Sequence, residues 1–229
     1  MTDDDDKVLA WHFLSDDGCL RWGKWKDRKV RPRVTYVHKG PLELCQVGLH
    51  ASIKPLDALQ YAPGAIVCRV RCSDRVEHQD DKLVCGRRRV LWLADSTRVL
   101  HEFAIWCAYQ ALALVDNPDP RSIRALEVKR LWLDGKATDE ELVAASYAAW
   151  DAASAAASAA ARCAARDAAS AAAWDAARDA ARDAARCAAS AAAWDAASAA
   201  ASAAAWDAAR CAARCVQNTE LERRLLELE

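Results

Sequence analysis

The sequence predicts an α+β N-terminal domain, a small mixed or antiparallel sheet with packed helices, followed by a long Ala-rich α-helical repeat region. Three observations carry this reading. Short β-prone runs bounded by Gly, Pro and Asp share residues 8–136 with helical patterns. Gly and Pro then vanish after Gly135, and four-residue Ala units take over. The charge also splits: residues 1–136 hold 23 of the 32 Lys+Arg and 19 of the 33 Asp+Glu (+4), and residues 137–229 hold the other 9 and 14 (−5). A net charge of −1 supplies no overall field toward nucleic acid or membrane.

Residues 1–7 form an acidic extension without the apolar stretch of a secretory signal, and Asp3-Asp-Asp-Asp-Lys7 spells an enterokinase-type cleavage sequence. Residues 8–14 (VLAWHFL) read as a strand, closed by the turn signal Ser15-Asp-Asp-Gly18, and residues 19–22 fit the return strand of a hairpin. Residues 33–37 are another strand, ended by Gly40-Pro41. Residues 55–62 (PLDALQYA) form a short helix with Pro in its first turn, stopped by Pro63-Gly64. Residues 65–72 alternate apolar and basic toward their end, as a half-buried strand does. Residues 82–85 and 89–93 add two more strands around Gly86. Asp95 or Ser96 caps a helix whose Val99, Leu100, Phe103, Trp106, Cys107 and Leu114 make one broad apolar face. A further helix opens at Asp119-Pro120 and closes at Gly135.

The region 137–229 starts with a capping box, Thr138-Asp-Glu-Glu141. From Trp150 to Ala213 it divides into sixteen units of the form a-b-Ala-Ala. Position a is Trp at 150, 174, 194 and 206 and otherwise Arg or Ser; position b is Asp, Ala or Cys, the Cys recurring 24 residues apart at 163, 187 and 211. Ala has the highest helix propensity, and the Asp–Arg pairs at i,i+3 support a helix surface. A period of four against 3.6 residues per turn rotates position a by about 40° per unit. Trp150, Trp174, Trp194 and Trp206 therefore point around the whole cylinder. That pattern predicts a right-handed supercoil and self-association through the Ala-rich helix, giving a homo-oligomer in which these indoles are the assembly residues. A lone helical spacer and a β-solenoid with one unit per side are the alternatives. At the end of the chain, Leu221, Leu225 and Leu228 share a face suited to clamping.

The ten cysteines contain no C-x-x-C pair, so no metal site is expected, and reduced, buried thiols in a cytoplasm are. No window offers the ~18 apolar residues of a membrane span, so no membrane partner is expected.

Gly48-Leu-His-Ala-Ser52, followed by residues 55–61 and a strand, resembles the middle of ADP-ribosyltransferase-like domains. There a glycine turn and strand precede a short helix with an Ala…Tyr ending. His12, in Trp11-His-Phe13, looks like the nicotinamide-site residue of that superfamily. The resemblance implies an NAD-binding cleft with His12, His50 and Glu102 as catalytic candidates and Ser52 and Tyr61 on the cofactor; NAD is expected under this reading alone. The superfamily also uses a late-strand Glu, and none is placed here, so a degenerate, non-catalytic relative is the reading taken. The whole chain also resembles uncharacterised phage and actinobacterial proteins that join a "GLHAS…DALQYAPG…V" domain to an Ala-rich tail. This implies a phage or prophage protein in a host bacterial cytoplasm, with a host or phage protein partner.

The segment 21–33 holds Arg21, Lys24, Lys26, Arg28, Lys29, Arg31 and Arg33 with two Trp, a composition suited to phosphates and stacked bases. Arg87-Arg88-Arg89 extends such a patch. A solvated hairpin is the plainer reading. The function expected is thus a non-enzymatic structural or interaction protein, with an ADP-ribosyltransferase-like enzyme and a nucleic-acid binder as alternatives.

Overall fold

The computed structural model describes residues 7–21, 26–115, 117–155 and 203–229, with the side chains of 150–155 and 203–210 left out. The chain divides into two compact units, Met1–Ser96 with Leu221–Glu229, and Thr97–Glu220. The breaks thus fall at 96/97 and 220/221, whereas composition changes at 136/137.

Among the described residues the first unit holds seven strands: β1 (Val8–Leu14), β2 (Thr35–Val37), β3 (Leu49–Ala51), β4 (Ile66–Ser73), β5 (Glu77–His78), β6 (Leu83–Cys85) and β7 (Arg87–Asp95). Helix α1 (Pro55–Gln60) lies between β3 and β4. The strands form two antiparallel sheets, ordered β1-β4-β7-β2 and β3-β6-β5. One bridge joins them: Trp11 N–H donates to the Ser52 carbonyl (2.7 Å) and Ser52 N–H to the Trp11 carbonyl (3.0 Å). Period-two alternation puts Ala10 and Leu14 of β1, Cys68, Val70 and Cys72 of β4, and Val90 of β7 on one face. They share a core cluster with Leu49, Ala51, Leu83 and Cys85 of the smaller sheet.

Of the return strand expected over 19–22, residues 19–21 do not pair with β1, and Trp22 lies outside the described residues. Cys19 bridges Lys29, Leu20 N–H donates to the Arg28 carbonyl (3.2 Å), and Val30 N–H donates to the Gly18 carbonyl (2.9 Å). The partner of β1 is β4, from Val8↔Cys72 to Leu14↔Ile66. The reason is burial: residues 19–21 present little beyond Leu20 to a core, whereas β4 supplies Val67, Cys68, Val70 and Cys72, all at 0% exposure. The strand expected over 33–37 shortens to 35–37 because Arg33 takes a positive φ of 64°.

The second unit contains α2 (Thr97–Leu112), α3 (Pro120–Leu133), α4 (Asp139–Ala155) and most of α5 (Ala203–Leu226). Asp119 caps α3, accepting from Arg121 N–H at 2.8 Å. The capping box is present: Thr138 N–H donates to Glu141 Oε2 (2.8 Å) and Glu141 N–H to Thr138 Oγ1 (3.2 Å). The Ser96 hydroxyl, one of the two expected caps of α2, donates to the Ala65 carbonyl at 2.6 Å, inside the first unit. Arg98 ties α2 to the end of α3 through the Leu133 carbonyl (2.6 Å) and Asp134 (2.8 Å). Trp132 joins three elements: its Nε1 donates to Asp139 (2.7 Å), His101 meets its ring at 5.6 Å, and the Lys129 amine lies 4.0 Å from its centroid. Where the Ala units are described, at residues 150–155 and 203–213, they are α-helical. Residues 156–202, with Trp174 and Trp194, fall outside the described residues, as do the side chains of Trp150 and Trp206.

Two expectations follow from this packing. Gly48 sits at φ +128°, where an added Cβ would lie 2.3 Å from Val84 Cγ2. Gly48→Ala is expected to cost about 1–3 kcal/mol of stability in chemical denaturation, from backbone strain and overpacking. Burial holds the Lys129 amine down at about 7, and burial with the nearby Lys129 charge holds His101 at about 3. Each base carries fewer protons folded than unfolded, so unfolding free energy rises with pH. The His101 contribution is lost as pH falls from 6.5 toward 3, and the Lys129 contribution grows from about 7 toward 10.5. Urea titrations of Lys129→Met across the upper window should show a flattened slope.

Candidate functional site

His12 stands on β1 opposite Cys68 of β4, on the face turned toward the smaller sheet. The Trp11–Ser52 bridge brings β3 alongside, and His50 with it. Arg88 enters from β7, opposite Cys72 and Tyr36, so it projects from the same face as the core side chains. It is 3% exposed. Its Nη1 donates to the His50 carbonyl at 2.5 Å, and its buried Nε has no partner. Among the described residues, no carboxylate is within salt-bridge reach of it.

The electrostatics follow from that charge. Burial, then Arg88, then His50 hold the His12 imidazole well below its ordinary value; burial and Arg88 lower His50 as well. Both rings are therefore neutral at pH 7. His50 Nε2 accepts from Cys45 N–H (3.0 Å), which puts the proton of the neutral ring on Nδ1. Buried thiols line the same face. Burial pushes Cys68 up to about 12, and a hydrogen bond to Cys85, with burial, raises Cys72. These are protonated core groups rather than nucleophiles. Among the described residues, no cluster of three or more His, Cys, Asp or Glu is placed to hold a metal ion.

A second cation flanks His50. Lys82, just before β6, is hydrogen-bonded to the Cys45 side chain and donates to the Tyr61 hydroxyl (3.3 Å). The Tyr61 hydroxyl donates to Asp81, which raises its pKa. Tyr61, at the C-cap of α1, is 52% exposed. The structure thus gathers His12, His50 and Arg88, and links His50 to Tyr61 through Cys45 and Lys82. Ser52 is present as backbone, with its side chain buried at 2% exposure. Glu102 lies on α2 in the second unit, where it accepts from Arg98 at 2.8 Å. Among the basic residues of 21–33, Arg21, Lys26, Arg28, Lys29, Arg31 and Arg33 are exposed, and Lys24 falls outside the described residues.

Sequence reasoning placed Arg88 with Arg87 and Arg89 in an outward basic patch, whereas it is buried, and it passed over Lys82 and Asp81 as site residues. A signal for Arg88 was present in strand parity: Arg88 and Val90 share a face, and Arg87 and Arg89 take the other. An arginine in step with a core valine points inward.

Chemically, the cluster offers two neutral imidazoles, a buried guanidinium and a lysine, with Asp81 engaged by Tyr61 and Lys82 (3.9 Å). It is built to receive negative charge, not to supply a carboxylate base. Among the described residues, no helix is long and apolar enough to cross a membrane.

A family model, described as a domain of unknown function (DUF7666), matches residues 22–102. The match spans β2 to β7 with His50, Ser52, Tyr61, Lys82 and Arg88, and it begins after β1 and His12. No curated protein and no solved structure matches the chain.

Proposed function

We propose that the first unit is a non-catalytic binding module for a phosphate-bearing nucleotide of the NAD type, seated at His12, His50 and Arg88. The observation that carries this is Arg88: a guanidinium at 3% exposure whose Nε is unsatisfied and which meets no carboxylate among the described residues. A buried ion costs several kcal/mol unless paired, and one carbonyl hydrogen bond offsets only part of that. An anionic ligand supplies the missing charge, and the guanidinium fork suits phosphate oxygens. The resemblance of residues 8–72 to ADP-ribosyltransferase-like domains favours a nucleotide over a simple anion. Transfer chemistry needs a carboxylate beside the developing ribose cation. Glu102 is paired with Arg98 and Asp81 with Tyr61 and Lys82, which supports the non-catalytic reading.

The tetrad region adds an assembly role: Ala at two of every four positions lets helix backbones approach closely, and copies of the chain associate through it. The helical backbone at both ends of the tract supports this, and so does the phage-type architecture that the sequence resembles. A host or phage protein is the fitting partner for such an assembly.

Thermal unfolding with NAD, ADP and pyrophosphate tests the module. A ligand at a hundred times its Kd stabilises by about 2.7 kcal/mol, a shift of several degrees. Arg88→Met is expected to remove the shift, and Arg88→Lys to weaken it because the fork is lost. No shift with any of the three, or a full shift in Arg88→Met, overturns the reading. Release of nicotinamide from NAD by the wild-type chain would overturn its non-catalytic part. For the assembly role, light scattering across micromolar concentrations should show mass rising above one chain; a constant monomer mass rejects it.

A further inference from the structure

We propose that the outer face of the four-stranded sheet is a docking surface for nucleic-acid phosphates, carried by Arg71, Arg87 and Arg89. The face is the reverse of the one that bears Arg88, and the inference is independent of the nucleotide reading. Arg71 of β4 stands directly opposite Arg89 of β7, and Arg87, two residues along, stands opposite Ser73. All three are exposed. Among the described residues none is in an ion pair. Like charges placed directly across a ladder repel, so this face needs counter-ions that the surrounding side chains do not give. Arg31 and Arg33, also exposed, run beside it. Arg33 N–H donates to the Val90 carbonyl (2.8 Å) and Val90 N–H to the Val34 carbonyl (2.9 Å), which lays residues 33–34 along β7.

The other end of the same face already accepts an anionic group. Arg69, two residues before Arg71, lies 4.3 Å over the Trp11 ring, with Glu222 at 3.8 Å from its Nη2. Trp11 Nε1 also donates to Glu222 (3.3 Å). A carboxylate from the last turns of α5 thus occupies one end of the arginine rows and leaves the rest open. Side chains on adjacent strands stand about 4.8 Å apart, and those two residues along a strand about 6.7 Å apart. Fixed to a rigid ladder, the guanidiniums meet successive phosphates of one polyanion, each by a two-pronged contact. A bilayer needs apolar side chains to bury, and here Leu9 at 46% exposure stands at the margin. Of the aromatic residues on this face, Trp11 and Phe13 are buried, and Trp92 is half-buried and edge-on to Trp11. Base stacking and sequence reading are therefore not part of the contact.

The experiment is fluorescence anisotropy of the full chain with labelled mixed-sequence DNA, single- and double-stranded, across a salt series. Binding is expected at low salt with little sequence preference, fading as salt rises. Arg71→Gln and Arg89→Gln should each lower the slope of log K against log salt by about 1. Both positions are exposed, so an unchanged melting temperature and circular dichroism spectrum should accompany the loss. Absence of binding at low salt overturns the proposal. So does an unchanged slope in both variants, or loss of binding in Arg28→Gln with Lys29→Gln alone, which would move the contact to the hairpin. Arg71-dependent capture of phosphatidylserine vesicles without DNA binding would also reject it, in favour of a lipid surface.

Discussion

Two hydrogen bonds between Trp11 and Ser52 are what the rest of the first unit depends on. They stitch the edge of the four-stranded sheet to the three-stranded one, and they do so at the residues flanking His12 and His50. Without that bridge, β3 would have β6 alone as a partner, and the two imidazoles would belong to separate sheets. With it, β1 has backbone partners along both edges, Phe13 and Leu14 are almost completely buried, and the indole of Trp11 is fully covered. The functional cluster is in this sense a product of ladder geometry: side chains meet because their strands are neighbours, not because their positions in sequence are close.

The same ladder divides the tripeptide Arg87-Arg88-Arg89 between two environments. Alternation turns Arg88 inward among thiols and imidazoles, and the flanking arginines outward to solvent. The inner guanidinium is costly in the low-dielectric interior, and it lowers the proton affinity of every base around it. The outer ones cost little in isolation because water screens them. One run of like residues thus yields a buried positive centre and an exposed positive surface, separated by the thickness of a single sheet.

Much of this was legible in advance, for identifiable reasons. The run over 8–14, the helix after Lys54 and the caps at Asp119 and Thr138 rest on local chemistry, which the sequence carries directly. Residues 19–21 of the return strand expected over 19–22 do not pair with β1 because pairing is decided by burial across the sheet, and β4 offers more to bury than they do. The two-residue β5 has no periodic signal to read. His50 was accessible through the Gly48-Leu-His-Ala-Ser52 resemblance and His12 through Trp11-His-Phe13. Arg88 needed the register of β7 against β4, and Lys82 needed the fold that brings the start of β6 to Cys45 and Tyr61. Glu102 was chosen for its residue type, and the structure gives it an ordinary helical ion pair in another unit.

The last nine residues fold with the first ninety-six, so everything from Thr97 to Glu220 is, in connectivity, an insertion whose two ends return to one body. The duplicated block of six tetrads, marked by the Cys at 163, 187 and 211, falls wholly inside that insertion. Leu221 and Leu225, fully buried in that body, anchor the returning end whatever the number of copies. An architecture of this kind keeps the repeated units between two roots that belong to one body.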